Sequence, residues 1–145
     1  MLRDTVDDEL RASGQRLLAA VAEHNALGLA AAHIGEVLPI VAVGDGTAPV
    51  RLLYNPRITG TSAEIAKGDE GSVSLPGIRV EVERPVWVDV VYMDEGGRPV
   101  SERLTGVLGR VAIHEIEQMQ GIFFLDRVSR LKRDMALRKA RKLPG

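Results

Sequence analysis

Residues 106 to 121 read GVLGRVAIHEIEQMQG, and this stretch decides the fold. Its apolar residues recur at close to helical spacing, which predicts an amphipathic helix. They are Val107, Val111, Ile113 and Met119. Gly121 marks the end of the helix, because glycine adopts the left-handed conformation of a C-terminal cap at little cost.

The same helix carries a near match to a metal-binding motif. Residues 114 to 118 read His-Glu-Ile-Glu-Gln, one residue short of the H-E-x-x-H pattern that places two imidazoles on one helix face beside a glutamate. His114 and Gln118 are four residues apart and share a face, while Glu115 lies about 100° round the helix. A lone His-Glu pair is also common in ordinary helices, so the motif needs support from elsewhere in the chain.

Strands are predicted on both sides of a long alternating segment. Val37–Val43 and Val50–Tyr54 read as short strands joined by a hairpin or a longer loop. Arg79–Met93 alternates apolar and polar residues and is broken at Pro85, DEGG at 94–97 is a hairpin turn, and Val100–Leu104 is the partner strand. The polar segment from Asn55 to Leu75 reads as turns.

Two further helices are predicted at the ends of the chain. Apolar residues from Asp8 to about Asn25 recur at helical spacing, although Gly14 weakens the pattern. Leu131, Met135 and Leu137 lie among basic residues and predict a last helix. At 145 residues the chain has room for one domain around one core.

Composition limits the chemistry and the location. The chain has 45% hydrophobic residues and no apolar run near the ~20 residues of a membrane span, so no membrane partner is expected. The first residues carry acids where a secretion signal would be basic, which favours the cytoplasm. Without cysteine, His24, His33 and His114 are the only strong neutral metal ligands.

The C-terminal segment is strongly basic. Arg127 to Lys142 holds eight Lys or Arg residues against one Asp. This segment could bind an anionic partner, or it could be the solvated face of a terminal helix, whose last-turn cations the helix dipole favours.

Two small-residue segments accompany the His-Glu helix. Residues 28–35 read GLAAAHIG and residues 70–77 read EGSVSLPG, and each is a turn where backbone can approach a ligand. With the helix they follow one another at roughly 40-residue intervals. In this order they resemble the three motifs of peptide deformylases, and GIFFLDRVSRLKR at 121–133 resembles the stretch that follows in that family. The resemblance covers about Asp8 to Arg133.

The resemblance implies a fold and an activity. It implies an α+β fold in which antiparallel β-sheets surround a central helix with the His-Glu motif, with further helices at the N and C termini. Residues 1–145 then form a single domain, shortened at its N-terminus relative to the family. Deformylases remove the formyl group from N-terminal formyl-methionine with a divalent metal held by one Cys and two His.

The resemblance also assigns site residues, several of which depart from the family. The metal positions are Ser72, His114 and Gln118, the general base is Glu115, and His33 stands where the family has the oxyanion-binding Gln. Serine and glutamine are weak, neutral ligands, and losing two strong ligands costs on the order of 5–8 kcal/mol of metal affinity. No cofactor is therefore expected, and any metal would be one Fe²⁺, Zn²⁺ or Ni²⁺ ion.

The substrate groove departs less from the family. By resemblance Leu27, Gly28, Val73 and Arg79 bind the peptide. Arg110 stands where the family has apolar or small residues, so it either intrudes on the space for the methionine side chain or extends outward.

Three functional interpretations follow from the resemblance. The first is a deformylase-like protein with a degenerate metal site, inactive or weakly active, that keeps a groove for N-terminal formyl-methionyl peptides of nascent chains. The second is an active metallohydrolase with a rebuilt shell of His33 and His114. The third is a ribosome-associated module that binds through the basic helix or tail at 127–145; DNA is not an expected partner.

Overall fold

Three α-helices and seven β-strands make up residues 3–143, the part of the chain that the computed structural model describes. The helices are α1 (Asp8–His24), α2 (Gly106–Met119) and α3 (Arg130–Lys142). The strands are β1 (Gly28–Ala30), β2 (Ile40–Val43), β3 (Arg51–Thr61), β4 (Ile65–Ser72), β5 (Leu75–Pro85), β6 (Trp87–Met93) and β7 (Pro99–Thr105). Short 3-10 turns span Ala31–Ile34 and Phe124–Arg127.

The strands form two antiparallel sheets. One has five strands in the order β1-β2-β3-β6-β7, and the other is the β4–β5 hairpin. The predicted hairpin turn at 94–97 joins β6 to β7, whose register pairs Trp87 with Thr105 and Met93 with Pro99. The α+β class with antiparallel sheets is confirmed.

The five-stranded sheet carries a helix on each face. Because side chains alternate along a strand, Val41 and Val43 of β2 pack in the cluster of α2, whereas Ile40 and Ala42 pack in the cluster of α1. From α2, the buried residues of the first cluster are Val111, Ala112, Ile113 and Ile116. The helix with the His-Glu motif is therefore fixed against the sheet by its apolar face, and its other side faces the β4–β5 hairpin.

The ends of the helices are capped, and the cap predicted at Gly121 is among them. The Asp7 carboxylate caps α1 by accepting from the backbone N–H of Leu10 at 2.9 Å, and Asn25 ends it with a φ of 50°. Gly121, with a φ of 89°, follows the end of α2. In α3 the Ser129 hydroxyl accepts from the N–H of Lys132 at 3.2 Å. All three predicted helices are confirmed.

The prediction of turns from Asn55 to Leu75 was wrong. Strand β3 continues to Thr61 through two register shifts, one between Tyr54 and Arg57, and Asn55 takes a left-handed φ of 52° there. Strand β4 then follows with a single buried residue, Glu70. Its mostly exposed, polar residues hide the alternation that predicts a strand. Gly28–Ala30, expected as a turn, also forms a strand.

We expect Gly14→Ala to destabilise the protein, although alanine is the better helix former. A Cβ at this position would lie 2.4 Å from the hydroxyl oxygen of Tyr54 and 2.8 Å from Leu52 Cδ1. Such overpacking costs about 1–3 kcal/mol of unfolding free energy, measurable by urea denaturation. The exposed neighbour Gln15→Ala is the control, and equal stability of the two variants would contradict the close contact.

Candidate functional site

A groove of about 860 Å³ runs between α2, the β4–β5 hairpin and the residues that precede β1. All four predicted substrate-binding residues line it: Leu27, Gly28, Val73 and Arg79. Ser72, His114 and Glu115 line the same groove. The structure thus brings together seven of the nine residues that the resemblance assigned to the site.

The other two predicted residues lie at a smaller cavity. His33 and Gln118 line a space of about 330 Å³ together with His24, Ala32, Val73 and Ser74. His24 and Val73 line both spaces, so the cavity adjoins the groove. Of the three positions predicted for the metal, Ser72 and His114 line the groove and Gln118 lines the adjoining cavity.

The His114 ring is held in one orientation by a buried carboxylate. Its Nδ1 lies 2.8 Å from Glu70 Oε1, and its ring stacks on Phe124 with 5.4 Å between centroids. Burial opposes ionisation of Glu70, but hydrogen bonds from Arg84 and His114 outweigh it and lower the Glu70 pKa to about 2. Because Glu70 is ionised, it accepts a hydrogen bond from the Nδ1–H of His114, and this bond fixes the orientation of the ring.

Arg84 completes a buried network around Glu70 that sequence reasoning missed. It donates to both Glu70 oxygens at 2.9 Å and to Glu117 at 2.6 Å, and its side chain is 3% exposed. Arg127 also pairs with Glu117. A signal was available, since alternation from Val80 places Arg84 on the buried face of β5.

Glu115 is buried beside His114 without a full set of partners. Its Oε2 lies 4.0 Å from His114 Nε2, and its Oε1 accepts no hydrogen bond from the described residues. Burial raises the pKa of Glu115 to about 7, against the opposing charge of His114 and with a smaller contribution from Glu70. A carboxyl that titrates near neutral pH in a groove suits general acid–base chemistry.

His33 is anchored by backbone rather than by other site residues. Its Nδ1 lies 3.2 Å from both the N and the O of Ala30. Burial lowers the pKa of His33. Its Nε2 and the Oε1 of Gln118 are both buried without a partner in residues 3–143. The small cavity therefore presents two polar atoms for water or a ligand to satisfy.

The donors present do not fit a metal site of one Cys and two His. His114 has the partner that metal-binding imidazoles have, a carboxylate on Nδ1, and the Nδ1 of His33 lies near the carbonyl oxygen of Ala30. The Ser72 hydroxyl is a neutral oxygen that accepts from the N–H of Ser74 at 3.1 Å, and Gln118 offers an amide oxygen on the other cavity. Within residues 3–143 no three His, Asp or Glu side chains are grouped so that they could hold a metal ion.

Comparison with known proteins identifies the family. The family model described as polypeptide deformylase matches residues 2–134. The chain belongs to the polypeptide deformylase family. It is 35% identical to the peptide deformylase of Brucella suis biovar 1, with 94% of this chain and 81% of that protein covered. It is 38% identical to a protein of Rhizobium meliloti named peptide deformylase-like, with 94% and 80% covered.

The solved structures give the same result. A peptide deformylase from Synechococcus elongatus, crystallised in complex with actinonin, has a TM-score of 0.88 and 35% identity. The match covers 96% of this chain and 78% of that one. The peptide deformylase-like fold is therefore confirmed.

Family membership also bears on the expected activity and on the expected absence of a cofactor. It supports the scaffold of a hydrolase, in a family that processes protein N-termini during protein biosynthesis. The expectation that no cofactor binds is not supported by the comparisons, because peptide deformylases are metalloenzymes. In the described part of the chain no helix is long and apolar enough to cross a membrane.

We expect Arg84→Leu to destabilise the protein by about 3–5 kcal/mol, because it leaves the buried Glu70 carboxylate without its bidentate partner. Urea denaturation at pH 7 measures the loss. Arg103→Leu removes a bidentate pair with Asp89 at an exposed site and is the control, with a much smaller expected loss of stability. Equal losses would mean that Glu70 does not depend on Arg84.

Glu115 should make stability depend on pH below neutrality. Between pH 4.5 and about 7 the folded state keeps a proton that the unfolded state has released, so the free energy of unfolding falls as pH rises. The full effect is about 3 kcal/mol. Glu115→Gln should remove this slope in denaturation curves across that range, whereas the exposed Glu83→Gln should retain it. A persistent slope in Glu115→Gln would contradict the raised pKa.

Proposed function

We propose that this chain binds the N-terminal segment of peptides in its groove, with formyl-methionyl peptides of nascent chains in the cytoplasm as reference ligands, and lacks the family's metal-activated hydrolysis. The observation that carries the proposal is the chemistry of the three positions that the resemblance assigns to the metal, because Ser72 and Gln118 offer only neutral oxygen atoms. His114 is the only imidazole among the three.

The backbone around Gly28 supports peptide binding. A Cβ on Gly28 would lie 2.6 Å from the carbonyl oxygen of Ala42 and 2.7 Å from Val111 Cγ1. Only glycine therefore lets the chain sit this close to α2. Strand β1 is at the edge of its sheet, and Gly28 lines the groove, so an extended peptide could bind beside it through main-chain hydrogen bonds.

Leu27→Asp should weaken binding of a fluorescent formyl-Met-Ala-Ser peptide by about tenfold, measured by fluorescence polarisation. Leu27 lines the groove and is 45% exposed, so the change places a carboxylate on its wall with little effect on folding. Val37→Asp makes the same change at a residue that is 82% exposed and not part of the groove lining. Peptide binding that is unaffected by Leu27→Asp, or absent in the wild type, would refute a peptide groove.

Restoring the family's metal-ligand residues should restore metal binding and deformylation. In the variant Ser72→Cys/Gln118→His, with His33→Gln added, we expect Zn²⁺ or Ni²⁺ to bind and formate to be released from formyl-Met-Ala-Ser. Adding Glu115→Gln to this background is the matched control and should abolish release without abolishing metal binding. A restored variant that binds metal but has no activity would mean that the defect lies beyond the ligands.

The second candidate is an active hydrolase with a rebuilt metal shell. It is favoured by the retained His114 and Glu115 and by the buried, unpaired Nε2 of His33. In that case formate release by the wild-type protein should depend on added metal and disappear in His33→Ala. The same variant should leave peptide binding intact.

The third candidate, docking on ribosomal RNA, rests on α3. Its buried residue Ala136 packs in the cluster of β5, and its other face is exposed. Four cations of its last turns form no ion pair within residues 3–143: Arg138, Lys139, Arg141 and Lys142. Sedimentation with ribosomes should then decrease steeply with salt and in a variant with these four residues changed to Gln.

A further inference from the structure

Arg110 lies inside the groove and connects α2 to both strands of the β4–β5 hairpin. Its Nη1 donates to Glu70 Oε2 at 2.8 Å and to the carbonyl oxygen of Val82 at 2.9 Å. Its Nη2 donates to the carbonyl oxygen of Ala66 at 2.8 Å. Of the two possibilities left open by the sequence, the structure does not show the outward one, because the Arg110 side chain lines the groove and is 17% exposed.

The guanidinium keeps donors for a ligand. It has five N–H groups, and the three hydrogen bonds use three of them. Nε–H and one N–H of Nη2 have no partner among residues 3–143. The group lies against Gly68, where a Cβ would be 2.9 Å from both Cζ and Nε of Arg110. The absence of a side chain at Gly68 is what makes room for the guanidinium in the groove.

Arg110 shares its carboxylate partner with another guanidinium. Glu70 accepts from both Arg84 and Arg110, and no other carboxylate among residues 3–143 pairs with Arg110. One shared carboxylate does not fully neutralise the positive charge of Arg110. An anionic group of a bound ligand would pair with the remaining positive charge of Arg110.

The rest of the groove wall is formed by both apolar and charged residues. Leu27 and Val107 line it and are 45% and 51% exposed, so they offer apolar surface to a ligand. Lys67 and Arg79 line the same groove, together with the exposed acid Asp69 and the buried carboxyl of Glu115. A groove with apolar walls and a guanidinium can bind a side chain whose methylene groups end in a carboxylate. Glutamate has such a side chain.

We propose that Arg110 selects peptides whose first side chain is glutamate over those that begin with methionine. The free Nε–H and Nη2–H bind the side-chain carboxylate, and Leu27 and Val107 pack on its methylenes. Arg110 is thus a specificity-determining residue. The inference rests on the proposed peptide-binding function and narrows its ligand class.

Three nearly isosteric ligands test the selection. Formyl-Glu-Ala-Ser, formyl-Gln-Ala-Ser and formyl-Met-Ala-Ser, each with a C-terminal fluorophore, are titrated with the full chain in polarisation assays. We expect the Glu peptide to bind at least about tenfold more tightly than the other two, as a charge-assisted hydrogen bond implies. In Arg110→Leu the preference should reverse towards Met, and in Arg57→Leu, an exposed residue of β3 outside the groove lining, it should persist.

A second variant covers the case in which Arg110→Leu fails to fold. Gly68→Ala adds a methyl group against the guanidinium and should reduce the Glu preference while Arg110 is retained. Tighter binding of the Met peptide by the wild type, or equal Glu preference in Arg110→Leu, would overturn this inference and leave the proposed function standing. Failure of all three peptides to bind would overturn the proposed function itself.

Discussion

The buried Glu70 carboxylate is the group on which the rest of the site depends. It accepts from Arg84 of its own hairpin and from Arg110 and His114 of α2, so one carboxylate joins the β4–β5 hairpin to the central helix. A buried charge is tolerated only when it is paired and hydrogen-bonded. The same contacts fix the hairpin wall of the groove, the orientation of the His114 ring and the position of Arg110.

This arrangement preserves the groove, while the residues at the positions assigned to the metal differ in chemistry from those of the family. The residues that shape the groove and orient His114 are present, whereas Ser72 and Gln118 supply only neutral oxygen atoms at the ligand positions. Ion pairs of Glu70 with Arg84 and Arg110 stabilise the site, so its fold does not depend on strong ligands at Ser72 and Gln118. A groove with an added guanidinium, and with one imidazole at these three positions, suits the binding role proposed above.

Much of the fold could be predicted from sequence because its helices and the β6–β7 hairpin are strongly periodic and well capped. Strand β4 could not, because of its eight residues only Glu70 is buried, and that residue is charged. The resemblance placed Leu27, Gly28, Val73 and Arg79 on one groove with His114. It could not show that Arg84 and Glu117 form the buried network, because their pairing depends on the contact between β5 and α2.

The most direct measurement is the metal content of protein purified without chelator and without oxygen, made together with formate release from a formyl-methionyl peptide. We expect well under one metal ion per chain and no formate release above the uncatalysed rate. Near-stoichiometric iron, zinc or nickel, with turnover that disappears in Glu115→Gln, would contradict it and establish a working deformylase built on a different set of ligands.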